Sequence, residues 1–258
     1  LLVANDISTT RARALLRNLE LFGIPNLFVA NEKPEKMVKN FPEFFHKIIL
    51  DAPCSGEGMF RKEEALARDW TPEKSQELPN PETALLKAAD MLQPGGQMLY
   101  STCTFAPAED EEVISWLLEH ARTSPSFPWK TTKAFPAEIQ PGETQPGVKK
   151  MVRIFPHKMA GEGISLPFEK EGQSGPTATI SKGTKLPTDV KKYIEEFFNE
   201  IGLKSLGGQP FDWNRVEVRA DKIYYLPRIL QLRGLTFLRN GLYLGDLKKN
   251  RFEPSQPT

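Results

Sequence analysis

Strand and helix signals alternate through the first 121 residues, and that alternation constrains the fold more than any other feature of the chain. Leu1–Asn5 is a short apolar run suited to a strand. Ser8–Phe22 follows with Ala12, Leu15, Leu16, Leu19 and Phe22 at three- and four-residue spacing, a helix that Gly23 ends. Strands are predicted at Leu27–Ala30 and at Lys47–Leu50, the second ending in Asp51. Pro81–Leu92 reads as a helix closed by Pro94-Gly95-Gly96, and Gln97–Ser101 as the next strand. Pro107–His120 reads as a further helix, with the acids Glu109 to Glu112 in its first turns complementing the helix dipole. Strands alternating with helices argue for an α/β fold with a parallel, doubly wound sheet.

The second half reads differently. Residues 122–147 are rich in Pro, Ser, Thr and Gly and have no period, as in a long functional loop or a linker. Lys149–Phe155 reads as a strand, and Glu169–Lys185 as a flexible connection. Thr188–Ile201 is a helix with Thr188 as its N-cap and Gly202 beyond its end. Short strands dominate from Arg215 onward, and Asn240-Gly241 between apolar runs predicts a hairpin. The expected organisation is an α/β domain over 1–165, a linker over 166–186 and a small α+β region over 187–258.

Composition excludes more than it assigns. Apolar residues make up 39% and charged residues 26%, as in ordinary globular proteins. No run approaches the ~18 apolar residues of a membrane span. Two cysteines do not make a disulfide framework, so a reducing, cytoplasmic setting is expected. Residues 1–150 carry 17 basic and 21 acidic side chains, whereas 203–258 carry 10 and 5. A basic end on a nearly neutral chain hints at an anionic partner. The chain opens on Leu1, already in strand pattern, and closes on Pro-Ser-Gln-Pro-Thr258, so a piece of a longer protein is expected.

Ligands of open α/β sheets bind at the carboxyl ends of the strands. Three such ends carry reactive side chains: Asp6; Asp51-Ala52-Pro53-Cys54-Ser55-Gly56-Glu57-Gly58; and Ser101-Thr102-Cys103-Thr104. Both cysteines therefore fall on one predicted edge. They are 49 residues apart and only three histidines exist, which fits neither a CxxC zinc site nor a thioredoxin-type pair. No metal is expected. A thiolate nucleophile with a second thiol as acid or base does fit, as does an acid that hydrogen-bonds the substrate.

At these residues the chain resembles a known family. DAPCSGEGMFRK (Asp51–Lys62) and YSTCTF (Tyr100–Phe105) resemble the RNA cytosine-C5 methyltransferases of the Nop/Sun group, most of all the bacterial RsmF type that acts on small-subunit (16S) ribosomal RNA. MLQPGGQMLYSTCTFAPAEDEEVI (Met91–Ile114), RIFPHKMAGEGI (Arg153–Ile164) and RGLTFLRNGLYLGDLKKNRFEPS (Arg233–Ser255) extend the resemblance. It implies a Rossmann-like sheet that binds S-adenosylmethionine, followed by an RNA-binding region. It implies that Cys103 is the nucleophile, that Cys54 assists product release, that Asp51 engages the base and that Lys62 contacts the site. Asp6, at the end of the strand that would hold the donor's ribose, is the first donor-site candidate, with helix capping as its structural alternative. Asn31 stands where many relatives have Asp near the adenine, and Asp51 and Pro53 complete the donor candidates. The family's glycine-rich loop and its central first strand would precede Leu1. Without that strand two edges are expected to stand unpaired, and the chain alone is expected to bind donor poorly.

The chemistry agrees with these residue types. Cytosine C5 is a poor nucleophile until a thiolate adds at C6, and a carboxyl group at N3 eases that addition. The target base must be unstacked. Basic residues Arg215, Arg219, Lys222, Arg228, Arg233, Arg239, Lys248, Lys249 and Arg251 lie among Phe211, Trp213, Tyr224, Tyr225, Phe237 and Tyr243, a mixture suited to phosphate contact and stacking, or simply to a small core. A monomer without membrane contact is expected. The rival readings are a DNA cytosine methyltransferase with Cys54 as nucleophile and a non-catalytic RNA-binding or ribosome-assembly protein.

Overall fold

The computed structural model describes residues 1–71, 81–123, 129–131, 152–154, 163–170, 186, 188–202, 205–206, 209–228, 230, 232–249 and 251–255. In chain order the elements are β1 (Leu2–Asn5), α1 (Thr9–Leu21), β2 (Leu27–Ala30), α2 (Pro34–Asn40), β3 (Phe45–Asp51), α3 (Glu64–Arg68), α4 (Pro81–Met91), β4 (Leu92–Thr102), α5 (Glu111–Thr123), β5 (Trp129–Thr131), β6 (Val152–Ile154), β7 (Gly163–Lys170), α6 (Thr188–Glu200), β8 (Ser205–Leu206), β9 (Gln209–Pro210), β10 (Val216–Arg219), β11 (Lys222–Tyr225), β12 (Phe237–Asn240), β13 (Leu242–Lys248) and β14 (Arg251–Pro254). They group into two compact units: Leu1–Asn40 with Thr179–Thr258, and Phe41–Ala178.

In the second unit β3 and β4 run parallel, and β7 pairs antiparallel with β4. Leu85, Ala88, Leu92, Met98, Tyr100, Val113, Ile114 and Leu117 form its core. Their recurrence on α4 and α5 at helical spacing, and at alternate positions along β4, is the amphipathic pattern that drives helices onto a sheet face. Lys170 closes the unit from β7. Its buried ammonium donates to the Leu92 carbonyl at 2.9 Å and the Ala89 carbonyl at 3.4 Å, and pairs with Glu43 at 3.1 Å. Glu169 and Lys170, expected to open a flexible connection, belong instead to a strand; 171–185 lie outside the described residues.

In the first unit β1 and β2 run parallel. All four residues of β2 are buried, because β12 adds antiparallel on its other side. The sequence predicted instead that the strands flanking Asn240-Gly241 form a hairpin. They do not pair: β12 joins β2, whereas β13 joins β11 and β14. The Asn-Gly signal reports only a sharp turn through positive φ. Gly241 adopts φ +88°, and its N–H donates to the Leu27 carbonyl at 2.7 Å. The turn thus passes the chain from one sheet to another. Val190, Ile194 and Phe198 of α6 pack on Val216, Ile223 and Tyr225 to make the second core.

β1 and β3 each stand at the edge of their sheet among the described strands, with one neighbour apiece. Leu1, Leu2 and Ile49 are exposed there. Helix α5 starts at Glu111 rather than Pro107. Residues Pro107 to Asp110 form a turn whose acids Glu109 and Asp110 are buried rather than offered to the helix dipole. Helix α2 was not legible in the sequence. No helix among the described residues is long and apolar enough to cross a membrane.

Candidate active site

The β3–β4 register assembles the site. Asp51 lies opposite Ser101, the last pair of a parallel ladder, so the loops that follow leave from the same edge. Cys54 comes three residues after Asp51 and Cys103 two after Ser101. Their sulfurs approach to 3.2 Å. The 49-residue separation that excluded a CxxC motif is spanned by one parallel strand connection.

Hydrogen bonds lace the loops together. The Gly58 N–H donates to the Cys103 carbonyl at 2.7 Å. The Ser55 and Thr104 hydroxyls lie 2.8 Å apart. The Phe105 N–H donates to Glu57 Oε2 at 3.0 Å, and the Ser55 N–H donates to Glu109 Oε2 at 2.8 Å. Gly56, at φ +77°, turns the chain into the short 3-10 helix Glu57–Met59, a left-handed conformation that favours glycine. Behind them Tyr100 donates through its hydroxyl to the Glu109 carbonyl at 2.8 Å, and Thr102 donates to Asp110 Oδ1 at 2.7 Å.

The two thiols are electrostatically unequal. A hydrogen bond from Cys54 stabilises the Cys103 thiolate and lowers its pKa to about 7 against the opposing effects of burial and of the Asp51 charge. The same hydrogen bond, joined by burial, pushes the Cys54 thiol well above its ordinary range. Of the two, Cys103 is the one that ionises first, as a thiolate accepting a hydrogen bond from the Cys54 thiol.

The structure brings together Cys54, Cys103 and Asp51. Pro53 is exposed beside Cys54, and Lys62 is exposed just past the 3-10 helix, where its N–H donates to the Met59 carbonyl at 2.8 Å. Asp6 and Asn31 lie together in the other unit. The Asp6 carboxylate accepts from the Ser8 N–H at 2.7 Å and pairs with Arg11 at 3.0 Å, so it braces the residue before α1, whose N-cap is Ser8 with no side-chain cap bond. The Asn31 amide donates to the Asp6 carbonyl at 2.8 Å and the Ile7 carbonyl at 3.0 Å, and accepts from Thr9 at 2.8 Å. Both of its N–H groups are thus committed to the loop after β1.

Sequence reasoning missed Glu57 and Glu109 as site residues. The available signal was their place three residues beyond Cys54 and six beyond Cys103, on the same loops. In the C-terminal region the structure divides the mixed cations and aromatics. Phe211, Trp213 and Tyr225 join the core. Tyr224 and Tyr243 instead lie beneath cations, with Arg219 and Arg239 at 5.5 and 5.7 Å from the Tyr224 ring and Lys222 at 5.0 Å from Tyr243. No cluster of three or more metal-ligating side chains occurs among the described residues. The PHKMAGEG segment lies almost wholly outside them.

Comparison with known proteins follows this geometry. Residues 196–257 match the first C-terminal domain of RsmF rRNA methyltransferases. The ribosomal RNA small subunit methyltransferase F of Aeromonas hydrophila is 31% identical over 266 residues, covering 98% of this chain and 53% of that protein. The protein of the same name from Escherichia coli O6:H1 is 31% identical over 188 residues, covering 70% of this chain and 37% of its own length. The chain therefore spans about half, or less, of these curated relatives. A methyltransferase homolog from Pyrococcus horikoshii is similar in structure at TM-score 0.52 and 25% identity, covering 65% of this chain and 52% of that one. NSun6 from Pyrococcus horikoshii, solved with SFG, shares the fold at TM-score 0.52 and 22% identity, covering 66% of this chain and 41% of its own. The match to the 16S rRNA methyltransferase RsmB/F family runs over residues 1–166, more than half of the chain, and makes this chain a member of that family.

Proposed function

We propose that this chain carries the catalytic part of an enzyme that methylates cytosine C5 in RNA, with small-subunit rRNA as its substrate and the cytoplasm as its setting. The observation that carries the proposal is the 3.2 Å approach of two thiols at the ends of adjacent parallel strands. Residues 1–165 supply the chemistry and 187–258 the RNA-binding region, where the cation-covered Tyr224 and Tyr243 are the surface offered to the strand.

Cys103 is the nucleophile. Its thiolate adds to C6 of the flipped base, and C5 becomes enamine-like. In its acid form Asp51 donates its proton to N3 as addition builds negative charge there, and takes it back when the S–C6 bond breaks. Its place beside Cys103 is supported by the effect of its charge on that thiol. Lys62 approaches the base from the exposed turn.

Cys54 changes character during the reaction. Its proton is held chiefly by the hydrogen bond to the Cys103 thiolate. Once the Cys103 sulfur is bonded to C6 it carries no charge, and that restraint goes. Cys54 can then lose its proton to water and take the one that must leave C5, after which the C5–H electron pair forms the C5–C6 double bond, the S–C6 bond breaks and Cys103 leaves as a thiolate. The order of events explains why the second thiol is a releasing group rather than a second nucleophile, and it disfavours the DNA-enzyme reading with Cys54 as attacker.

S-adenosylmethionine supplies the methyl group as a sulfonium electrophile. The residues fit it at β1: Asp6 lies at the carboxyl end of a parallel strand, and Arg11, its ionic partner among the described residues, is 71% exposed and able to swing aside for ribose hydroxyls. Asn31 holds that loop through its bonds to the Asp6 and Ile7 carbonyls. The test is transfer of labelled methyl from S-adenosylmethionine to small-subunit RNA by the full gene product, with bisulfite mapping of the product. Label confined to C5 of cytosine is expected. Transfer to another atom, or none to any RNA, contradicts the assignment.

A further inference from the structure

We propose that Glu57 and Glu109 form a reciprocal clamp that fixes the separation of the two thiols. Each cysteine loop sends one carboxylate to the other loop, and each carboxylate accepts a backbone N–H just beyond the other loop's cysteine. Glu57 Oε2, from the Cys54 loop, receives the Phe105 N–H at 3.0 Å, two residues past Cys103, and also lies 3.4 Å from the Thr104 hydroxyl. Glu109 Oε2, from the Cys103 loop, receives the Ser55 N–H at 2.8 Å, one residue past Cys54.

The burial argues that these bonds are a device rather than surface decoration. Glu109 is 4% exposed, and its Oε1 has no hydrogen-bond partner. A carboxylate in such a place costs solvation, and charge-assisted bonds to backbone N–H groups offset that cost. The Ser55–Thr104 hydroxyl contact and the Gly58–Cys103 bond are two further ties between the same loops. Backbone N–H groups in a parallel pair of loops have no ladder partner of their own. The carboxylates supply it. The Glu109 charge acts to raise the pKa of Cys103, so the clamp holds position while the Cys54 hydrogen bond sets reactivity. Both residues are positioning residues: they act through the loops and do not touch the reacting atoms.

The inference deepens the two-cysteine reading of the site and rests on it for its meaning in catalysis, but its test needs neither RNA nor donor. Diamide joins closely apposed thiols: the two cysteines give up two electrons and two protons, an S–S bond forms, and diamide is reduced to its hydrazine. The rate of Cys54–Cys103 disulfide formation therefore reports the apposition. It is measured by mass spectrometry in the full gene product and in Glu57→Ala, Glu109→Ala, Glu57→Gln and Glu109→Gln. Each Ala variant is expected to slow closure roughly tenfold, the loss of one charge-assisted bond. Each Gln variant keeps an acceptor oxygen and is expected to remain within about threefold of the parent. In parallel, Glu109→Gln removes a nearby negative charge and is expected to shift the iodoacetamide profile of Cys103 to lower pH, which a purely structural role would not do. Ala variants that close as fast as the parent overturn the clamp. So do Gln variants that behave like Ala, because the acceptor would then not be what matters. Should an Ala variant fail to fold, the Gln variants and the pH profile still decide.

Discussion

Cys54 Sγ and Cys103 Sγ lie 3.2 Å apart, each at the end of one of two neighbouring parallel strands, and the hydrogen bond between them lowers the pKa of Cys103 while raising that of Cys54. The relationship follows from register. Asp51 opposite Ser101 brings the two loops off one edge, and the exchange of loop hydrogen bonds holds them there.

The thiols should therefore titrate separately. Iodoacetamide is expected to label Cys103 with a midpoint near pH 7, the value to which the Cys54 bond lowers it, while Cys54 stays unlabelled. Cys54→Ala removes the chief stabilising bond, so the Cys103 midpoint should rise toward the ordinary thiol range of about 8.5. Peptide mapping across a pH series checks both outcomes, and equal labelling of the two residues would contradict the asymmetry.

Glu32 ties β2 to the segment before β12. Its carboxylate accepts from Lys36 at 2.9 Å and from the Thr236 N–H at 2.8 Å, and these bonds hold its pKa near 2, below the ordinary 4.5. A depressed carboxylate pKa stabilises the fold above the unfolded value and loses that contribution as pH falls through the folded one. The stability advantage of the parent over Glu32→Gln is thus expected to be full above pH 4.5 and to vanish by about pH 2. Acid unfolding followed by circular dichroism measures it. A difference independent of pH across that window would show that the carboxylate charge plays no part.

Gly241 turns the chain between two sheets at φ +88°, and a Cβ there would meet the Tyr225 carbonyl oxygen at 2.3 Å. Gly241→Ala is expected to destabilise the fold by about 1–3 kcal/mol, combining backbone strain with that collision. The urea midpoint should fall accordingly. An unchanged midpoint would mean that the turn relaxes freely.

Asn31 commits both amide protons to the carbonyls of Asp6 and Ile7. Asn31→Asp cannot donate to them, so the Asp6 loop should loosen. Affinity of the full gene product for S-adenosylmethionine is expected to fall by roughly fivefold, the scale of one or two net hydrogen bonds. Calorimetry would read this directly. Tighter binding would indicate that residue 31 instead reaches the adenine, as the acid of relatives was expected to do.

Much of the site was legible because its determinants are local. Asp51 and Ser101 end apolar strand runs, and each is followed within three residues by a cysteine, so alternation alone placed both thiols on one edge. What escaped depended on partner choice. The Asn240-Gly241 pair signals a turn, but β2 and β11 compete for the strands on either side of it, and only tertiary packing decides that contest. Helix α2 is seven residues long and has too little periodicity to register. Strand β7 contains Pro167, which argues against a strand in sequence. Glu109 looked like part of an acidic helix start, since four consecutive acids suit a helix dipole; its burial follows from the turn at Pro107–Asp110, which delays the helix to Glu111.

The central claim is that Cys103 attacks and Cys54 releases. It is tested most directly by incubating the full gene product, Cys54→Ala and Cys103→Ala with labelled S-adenosylmethionine and small-subunit RNA, then separating them on a denaturing gel. Cys54→Ala is expected to accumulate a covalent protein–RNA band that carries the transferred methyl group, and Cys103→Ala to form none. A band from Cys103→Ala with none from Cys54→Ala would reverse the roles and contradict the mechanism.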